Sequence, residues 1–241
     1  MVSIYMKKLI IGATGSIGSA VSRNIHKNGG KTHLVGRNEE ELSSLAEELD
    51  SSYTVADVLD ENFCNHIIND LGEEDIDGLA FCVGSIDLKP LKLTKKSDYM
   101  QCFNLNLISA TEIIRACHEK LKKNKGSIVL FSTVAARKGF INHSIISSAK
   151  SAVEGLTVAL AAEFAPNVRV NCIAPSLSKS KMATPMLKNE KMADSIAKMH
   201  ALKRIGDGED FSSLVNFLLS KNSSWITGQI IGVDGGRSSV A

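Results

Sequence analysis

A doubly wound α/β domain, with a seven-stranded parallel sheet and helices on both of its faces, is the fold that the 241-residue sequence predicts. Three observations predict it. Short β-branched runs alternate with longer amphipathic stretches; the first run ends on a glycine cluster that opens a helical pattern; and no proline-rich or serine-rich linker and no fixed-period repeat divides the chain. Strands are read at 8–11, 32–35, 53–55, 78–83, 127–131, 168–173 and 229–233, and helices at 16–28, 39–49, 61–71, 97–122 and 145–164. Gly29-Gly30 stops the first helix, as glycines just past a helix end do. The expected organisation is therefore one domain over 1–241. Its rhythm breaks only over 176–208, where Ser-Leu-Ser-Lys-Ser-Lys leads into Pro185 and a Met- and Lys-rich stretch. That segment predicts a substrate flap over the ligand site, with a surface excursion of no function as the alternative.

Composition narrows the class of ligand. A hydrophobic content of 44% is enough to build a sizeable core. Basic and acidic side chains, 28 and 26 of them, are mixed along the chain to a net charge of +2, so there is no basic stripe for nucleic acid, and a small molecule is the expected partner. The five cysteines, Cys64, Cys82, Cys102, Cys117 and Cys172, lack the close pairing of metal or redox sites, which predicts reduced thiols, no metal and a cytoplasmic setting. The apolar run 9–11 is too short for a signal-peptide core, and no stretch is read as approaching the roughly 20 residues of a membrane helix.

Gly12-Ala13-Thr14-Gly15-Ser16-Ile17-Gly18 lies between the first strand and the first helix. A turn this tight lets backbone approach a pyrophosphate, and the helix that follows offers unpaired N–H groups and a positive dipole end. Thr14, Gly15, Ser16 and Ile17 are thus candidate cofactor contacts along with Gly12 and Gly18. At the end of the second strand, where a carboxylate would hold a ribose 2′-hydroxyl, the chain has Gly36-Arg37-Asn38. A guanidinium there accommodates a 2′-phosphate, so Arg37 and Asn38 favour NADP(H) over NAD(H).

With these residues in place the sequence resembles the short-chain dehydrogenase/reductase family, whose fold is a Rossmann-type doubly wound domain. Asp57-Val58 resembles the family's adenine-contacting pair, and Phe103-Asn104-Leu105-Asn106-Leu107 its mid-helix motif, which puts the structural and proton-relay role on Asn106. The strand 127–131 with Ser132-Thr133 resembles the one bearing the active-site hydroxyl, and 169–176, with Pro175, the segment closing over the nicotinamide. Thr227-Gly228-Gln229 and Asp234-Gly235-Gly236 match the C-terminal signature. Two departures stand out. The glycine spacing is that of the family's extended branch, although length and C-terminus are those of the shorter one; and Phe81-Cys82-Val83-Gly84 stands where the family has Asn-Asn-Ala-Gly, leaving Val83 and Gly84 as cofactor contacts.

The resemblance implies a tyrosine acid or base four residues before a lysine that lowers its pKa and holds the nicotinamide ribose, and a hydroxyl thirteen residues earlier. Lys150 fits the lysine and Thr133 the hydroxyl, but the tyrosine position holds Ile146, which has no proton to exchange. A divergent branch resembling enoyl-thioester reductases sets its tyrosine further back, with six residues before the lysine and an apolar residue at the usual site. That position here is His143, and an imidazole can donate a proton, although a Lys150 ammonium nearby would disfavour the imidazolium form. The sequence therefore implies an NADP(H)-dependent oxidoreductase acting on a small carbonyl, alcohol or activated double bond with a non-standard proton donor. The alternative is a catalytically degenerate dinucleotide-binding protein, a sensor or an assembly subunit; a lyase or isomerase is a third reading. The resemblance also implies a homo-oligomer, a tetramer or dimer, built on the two long helices.

Overall fold

The computed structural model describes residues 6–240, so the expected domain limits at 1 and 241 lie outside the described residues. The strands are β1 (Lys7–Ile11), β2 (Lys31–Gly36), β3 (Ser52–Val55), β4 (Ile76–Phe81), β5 (Ser127–Phe131), β6 (Arg169–Pro175) and β7 (Ile230–Val233). They form one parallel sheet in the order β3-β2-β1-β4-β5-β6-β7. Chain order reverses between β1 and β4, and a sheet of this kind opens a crevice beyond the carboxyl ends of its strands at that point.

Period-two alternation divides the buried side chains between two cores. Leu9, Ile11, Leu79, Phe81, Ile128 and Leu130 point to one face, against α3 (Phe63–Leu71), α5 (Ser109–Lys123) and α6 (Ser144–Phe164). Ile10, Leu34, Ala80, Val129 and Phe131 point to the other, against α1 (Ser16–Lys27), α2 (Glu39–Glu48) and α9 (Glu209–Leu219). Both faces are covered, which is why the strands are near-continuous apolar runs.

Three expectations change. Helix α9 was not anticipated, although Phe211, Leu214, Val215 and Leu218 carry the i, i+3, i+4, i+7 stripe of a buried helix. It packs against α1 so closely that a Cβ on Gly208 would lie 2.1 Å from the Ser16 carbonyl oxygen. The helix read at 97–122 runs as α4 (Lys96–Phe103), a π-bulge over Asn104–Ile108, and α5. Finally, α6, at 21 residues, is by length and composition long and apolar enough to cross a membrane, which amends the reading that no stretch approaches that length. Half of that stretch is buried, its inner face packs on β6, and it carries the buried Lys150, all features of a core helix.

The 176–208 segment leaves the sheet after β6 and returns at a parallel bridge between Ser178 and Gly206. Between them lie α7 (Thr184–Leu187) and α8 (Glu190–Lys198), mostly exposed, with Ala183 and His200 buried as anchors.

Candidate active site

The glycine turn explains its own composition. Gly12 has φ +82°, and a Cβ there would press on Val83 and on the Cys82 carbonyl carbon at 3.0 and 3.1 Å. At Gly18 a Cβ would lie 2.2 Å from the Gly12 carbonyl oxygen, so helix and turn touch through bare backbone. Helix α1 starts at Gly15 without a side-chain cap and has no acidic residue in its first turn, leaving its N–H groups and positive end free for an anion. Thr14 sits beside Gly36, at the end of β2. The Ser16 hydroxyl donates to the Lys179 carbonyl at 2.8 Å, tying the 176–208 segment to the turn.

Arg37 is 73% exposed and only grazes Asp57, at 3.5 Å, so its guanidinium is accessible. Asn38 caps α2, its Oδ1 accepting from the Glu41 N–H at 2.9 Å. The Asp57 carboxylate accepts from the Leu59 N–H at 3.0 Å, while Val58 is buried.

A cleft of about 290 Å³ opens from Gly15, Ser16 and Ile17 past Val83 and Gly84 to Thr133, His143, Ile146, Lys150 and Pro175. It thus brings together both halves of the site predicted from sequence; Asn106 stands behind it, while Arg37, Asn38, Asp57 and Val58 lie off toward the sheet edge. Lys150 is 6% exposed, and its Nζ donates to the Phe131 carbonyl at 2.9 Å. Burial pulls its pKa down to about 8. Gly84 makes room for it: a Cβ there would meet Lys150 Nζ at 3.3 Å and Asn106 Oδ1 at 3.4 Å. Asn106 donates from Nδ2 to the Cys102 carbonyl at 2.9 Å, a residue one turn back, where the π-bulge disturbs the helix's own pattern. Its Oδ1 is buried without a partner. An orphaned acceptor near a buried lysine is a place for a bridging water or a ligand hydroxyl.

The hydroxyls after β5 divide their work. Ser132 is buried and donates to Glu154 at 2.9 Å, so it faces α6. Thr133 lines the cleft and accepts from the Ala135 N–H at 3.3 Å, which engages a lone pair and leaves its O–H free to donate. His143 is the N-cap residue of α6, and its Nδ1 donates to the Ile141 carbonyl at 2.7 Å, which leaves Nε2 as the ring nitrogen not engaged by that bond. Ile146, 5% exposed, packs with Cys102, Ile145, Ala149, Tyr99 and Phe103. Burial pushes the Cys82 and Cys172 thiols up to about 12, which leaves them unreactive beside Lys150. Among the described residues, no cluster of His, Cys, Asp and Glu is arranged to hold a metal ion.

Sequence reasoning missed several cleft residues, among them Ser85, Phe140 and Arg237. Arg237 follows the Asp-Gly-Gly turn and lines the cleft, its guanidinium 4.8 Å from the Phe140 ring centroid. Its position beyond a recognisable motif was the available signal.

A parallel sheet with a glycine turn, a buried lysine and a strand-end hydroxyl in one crevice defines a class, the doubly wound α/β oxidoreductases, and the comparisons agree. Residues 12–238 match a family model described as Enoyl-(Acyl carrier protein) reductase. A tropinone reductase homolog of Arabidopsis thaliana is 34% identical over 95% of this chain and 90% of its own length. The 3-oxoacyl-(acyl-carrier-protein) reductase FabG of Rickettsia prowazekii is 33% identical over 95% of each chain. Among solved structures, ElxO with NADP bound superposes with a TM-score of 0.88 at 29% identity, covering 97% of this chain and 100% of that one. The chain belongs to the short-chain dehydrogenase/reductase family.

Proposed function

We propose that this oxidoreductase is an NADP(H)-dependent reductase of a small carbonyl compound or activated double bond, also able to oxidise the corresponding alcohol, with His143 as its proton donor. The observation that carries the reading is convergence: Lys150, Thr133 and His143 line one cleft with the glycine turn, and Asn106 offers it an unpartnered oxygen. The residues present fit a dinucleotide, because the turn is shaped so that backbone alone meets the ligand, and Gly84 clears the way to Lys150. When bound, the nicotinamide supplies a hydride to the substrate carbon. Thr133 donates a hydrogen bond to the oxygen where negative charge grows. Protonated His143 then delivers its Nε2 proton to that oxygen and remains as neutral imidazole hydrogen-bonded to Ile141, so the substrate gains one hydride and one proton. Lys150 holds the ribose hydroxyls.

Exposed Arg37 and the NADP-bound relative support the 2′-phosphate. A tyrosine-to-phenylalanine variant of ElxO, 29% identical with a TM-score of 0.87, has NADPH bound, so in that protein the dinucleotide is held after the loss of a phenol. The degenerate-binder reading draws on Ile146, whose apolar packing closes the usual acid's place. Titration with NADPH and NADH, followed by turnover on a panel of carbonyl compounds, separates the two. Tight NADPH binding with turnover that His143→Ala suppresses supports the reductase; binding without turnover supports the binder; preference for NADH overturns the role of Arg37. The proposal extends to a cytoplasmic homo-oligomer without membrane or nucleic-acid partners. Exposed Met100 and Ile108 on the α4–α5 helix and Val158 on α6 support association through these helices, and light scattering gives the oligomeric state.

A further inference from the structure

We propose that Arg237 anchors a carboxylate of the substrate, so that the preferred substrates are small oxo acids rather than neutral ketones. The inference rests on the reductase reading and deepens it.

Cations are unevenly balanced in the cleft. Of its described lining residues, Lys150 and Arg237 are the lysine and arginine, none is Asp or Glu, and Arg237 is the one whose charge does not depend on pH near neutrality. Lys150 is spent on the Phe131 carbonyl and, in the proposed function, on the cofactor ribose. Arg237 has no comparable partner. Among the described residues no carboxylate lies within ion-pair distance of it. The near candidate, Asp234, is spent on its own turn, accepting from the Gly236 and Ser238 N–H groups at 2.9 Å each and from the Ser238 hydroxyl.

What Arg237 does touch is weak. Nη1 reaches Ser176 Oγ at 3.4 Å, Nη2 the Met199 sulfur at 3.5 Å, and the guanidinium lies over Phe140. The Ser176 contact is set up from behind: His200 Nδ1 donates to the Ile196 carbonyl at 2.9 Å, so in the neutral ring Nε2 accepts the Ser176 hydroxyl at 2.8 Å, and the serine oxygen is free to accept from Arg237. The cation is thereby aimed without being neutralised. A half-buried guanidinium without a counter-ion is costly, and a carboxylate that takes its fork in two parallel hydrogen bonds relieves that cost with directional preference.

Placement fits a substrate rather than the dinucleotide. The Phe140 ring neighbours both groups, with the guanidinium 4.8 Å from its centroid and the His143 imidazole 5.3 Å from it by centroids. Arg237 and the proposed proton donor therefore share Phe140 as a neighbour, and Arg237 also touches Ser176, while the glycine turn follows β1, four strands from β7 in the sheet. A carboxylate on Arg237 and a carbonyl between Thr133 and His143 describe one short molecule.

The test uses the full chain, Arg237→Met and Arg237→Lys, with acetoacetate and 4-oxopentanoate as probes, each against its methyl ester. The expected result is about 10- to 100-fold higher kcat/KM for the acid than for its ester in the wild type, as a desolvated bidentate contact gives. Arg237→Met should erase that preference, lowering kcat/KM for the acid far more than for the ester, with the NADPH Kd within about twofold, and Arg237→Lys should restore part of it, since ammonium keeps the charge without the fork. Calorimetric titration of each acid into the NADPH-loaded protein reads the same contact without turnover, so binding that Arg237→Met removes supports the anchor even if no probe is reduced. The inference is overturned if neither acid is favoured over its ester in turnover or binding, if Arg237→Met weakens acid and ester equally, or if it weakens NADPH itself.

Discussion

The two ends of the cleft are built from different materials. At the glycine turn the contact surface is backbone, and what the sequence supplies is the absence of side chains at Gly12 and Gly18. At the far end it is side chains, Thr133, His143, Ile146 and Arg237, brought by three separate segments. Backbone geometry tolerates almost no change and specifies one kind of ligand; a side-chain wall can be rewritten residue by residue while the cofactor end stays as it was. Under the proposed function, Ile146 in the place of a tyrosine is a rewriting of that kind.

The contrast can be broken most severely at Gly18. Gly18→Val forces a Cβ to 2.2 Å from the Gly12 oxygen, and NADPH binding should vanish with a stability loss of about 2 kcal/mol or more, read by fluorescence titration and thermal melting. Retained binding would mean that the turn is not the phosphate site.

Lys150→Met should weaken NADPH by about 100-fold, through loss of its hydrogen bonds to the ribose. It should nevertheless melt higher at neutral pH. Burial holds the folded-state pKa of Lys150 near 8, below its unfolded 10.5, so the unfolded chain binds more protons between those values and wild-type stability rises there by up to about 3 kcal/mol. Denaturant melts across pH 7–11 should show that rise in the wild type and its absence in the variant.

His143→Ala should lower kcat by about 100-fold with the NADPH Kd unchanged. Ile146→Tyr sharpens the point: a phenol returned to that position should raise kcat and make His143→Ala nearly silent in the double variant. If the single His143 variant is already silent, the proton comes from elsewhere.

The smallest effect is expected at Thr133. Thr133→Ala should cost about 10-fold in kcat/KM, the worth of one hydrogen bond to growing charge, and Thr133→Ser should recover it.

The same division decided what could be read from sequence. Every strand was legible, and so were Gly12, Gly15 and Gly18, because alternation and missing side chains are local signals. The positions of Lys150, Thr133 and His143 in one cleft followed from family spacing. Helix α9 went unread despite its apolar stripe, since it follows the irregular 176–208 segment and opens on Gly208 without a capping side chain. Arg237 was beyond reach because its significance lies in contacts with Ser176 and Phe140, which are 61 and 97 residues away along the chain. The one local signal, the Asp234-Gly235-Gly236 motif before it, does not by itself say which cleft the arginine enters.

The π-bulge at Asn104–Ile108 carries one last consequence. A bulge of this kind is an inserted residue, and it shifts the phase of everything after it on the helix by about 100°. Cys102, just before it, faces α6 and the Ile146 cluster, whereas Ile113, Ile114 and Cys117, after it, face the sheet. One continuous rod therefore serves two walls, with Asn106 at the point of rotation. Deleting a single residue there would leave composition and helix content almost untouched, yet it would turn Asn106 away from Lys150 and misalign one wall or the other. In this molecule a count of residues per turn is as much part of the active site as any side chain.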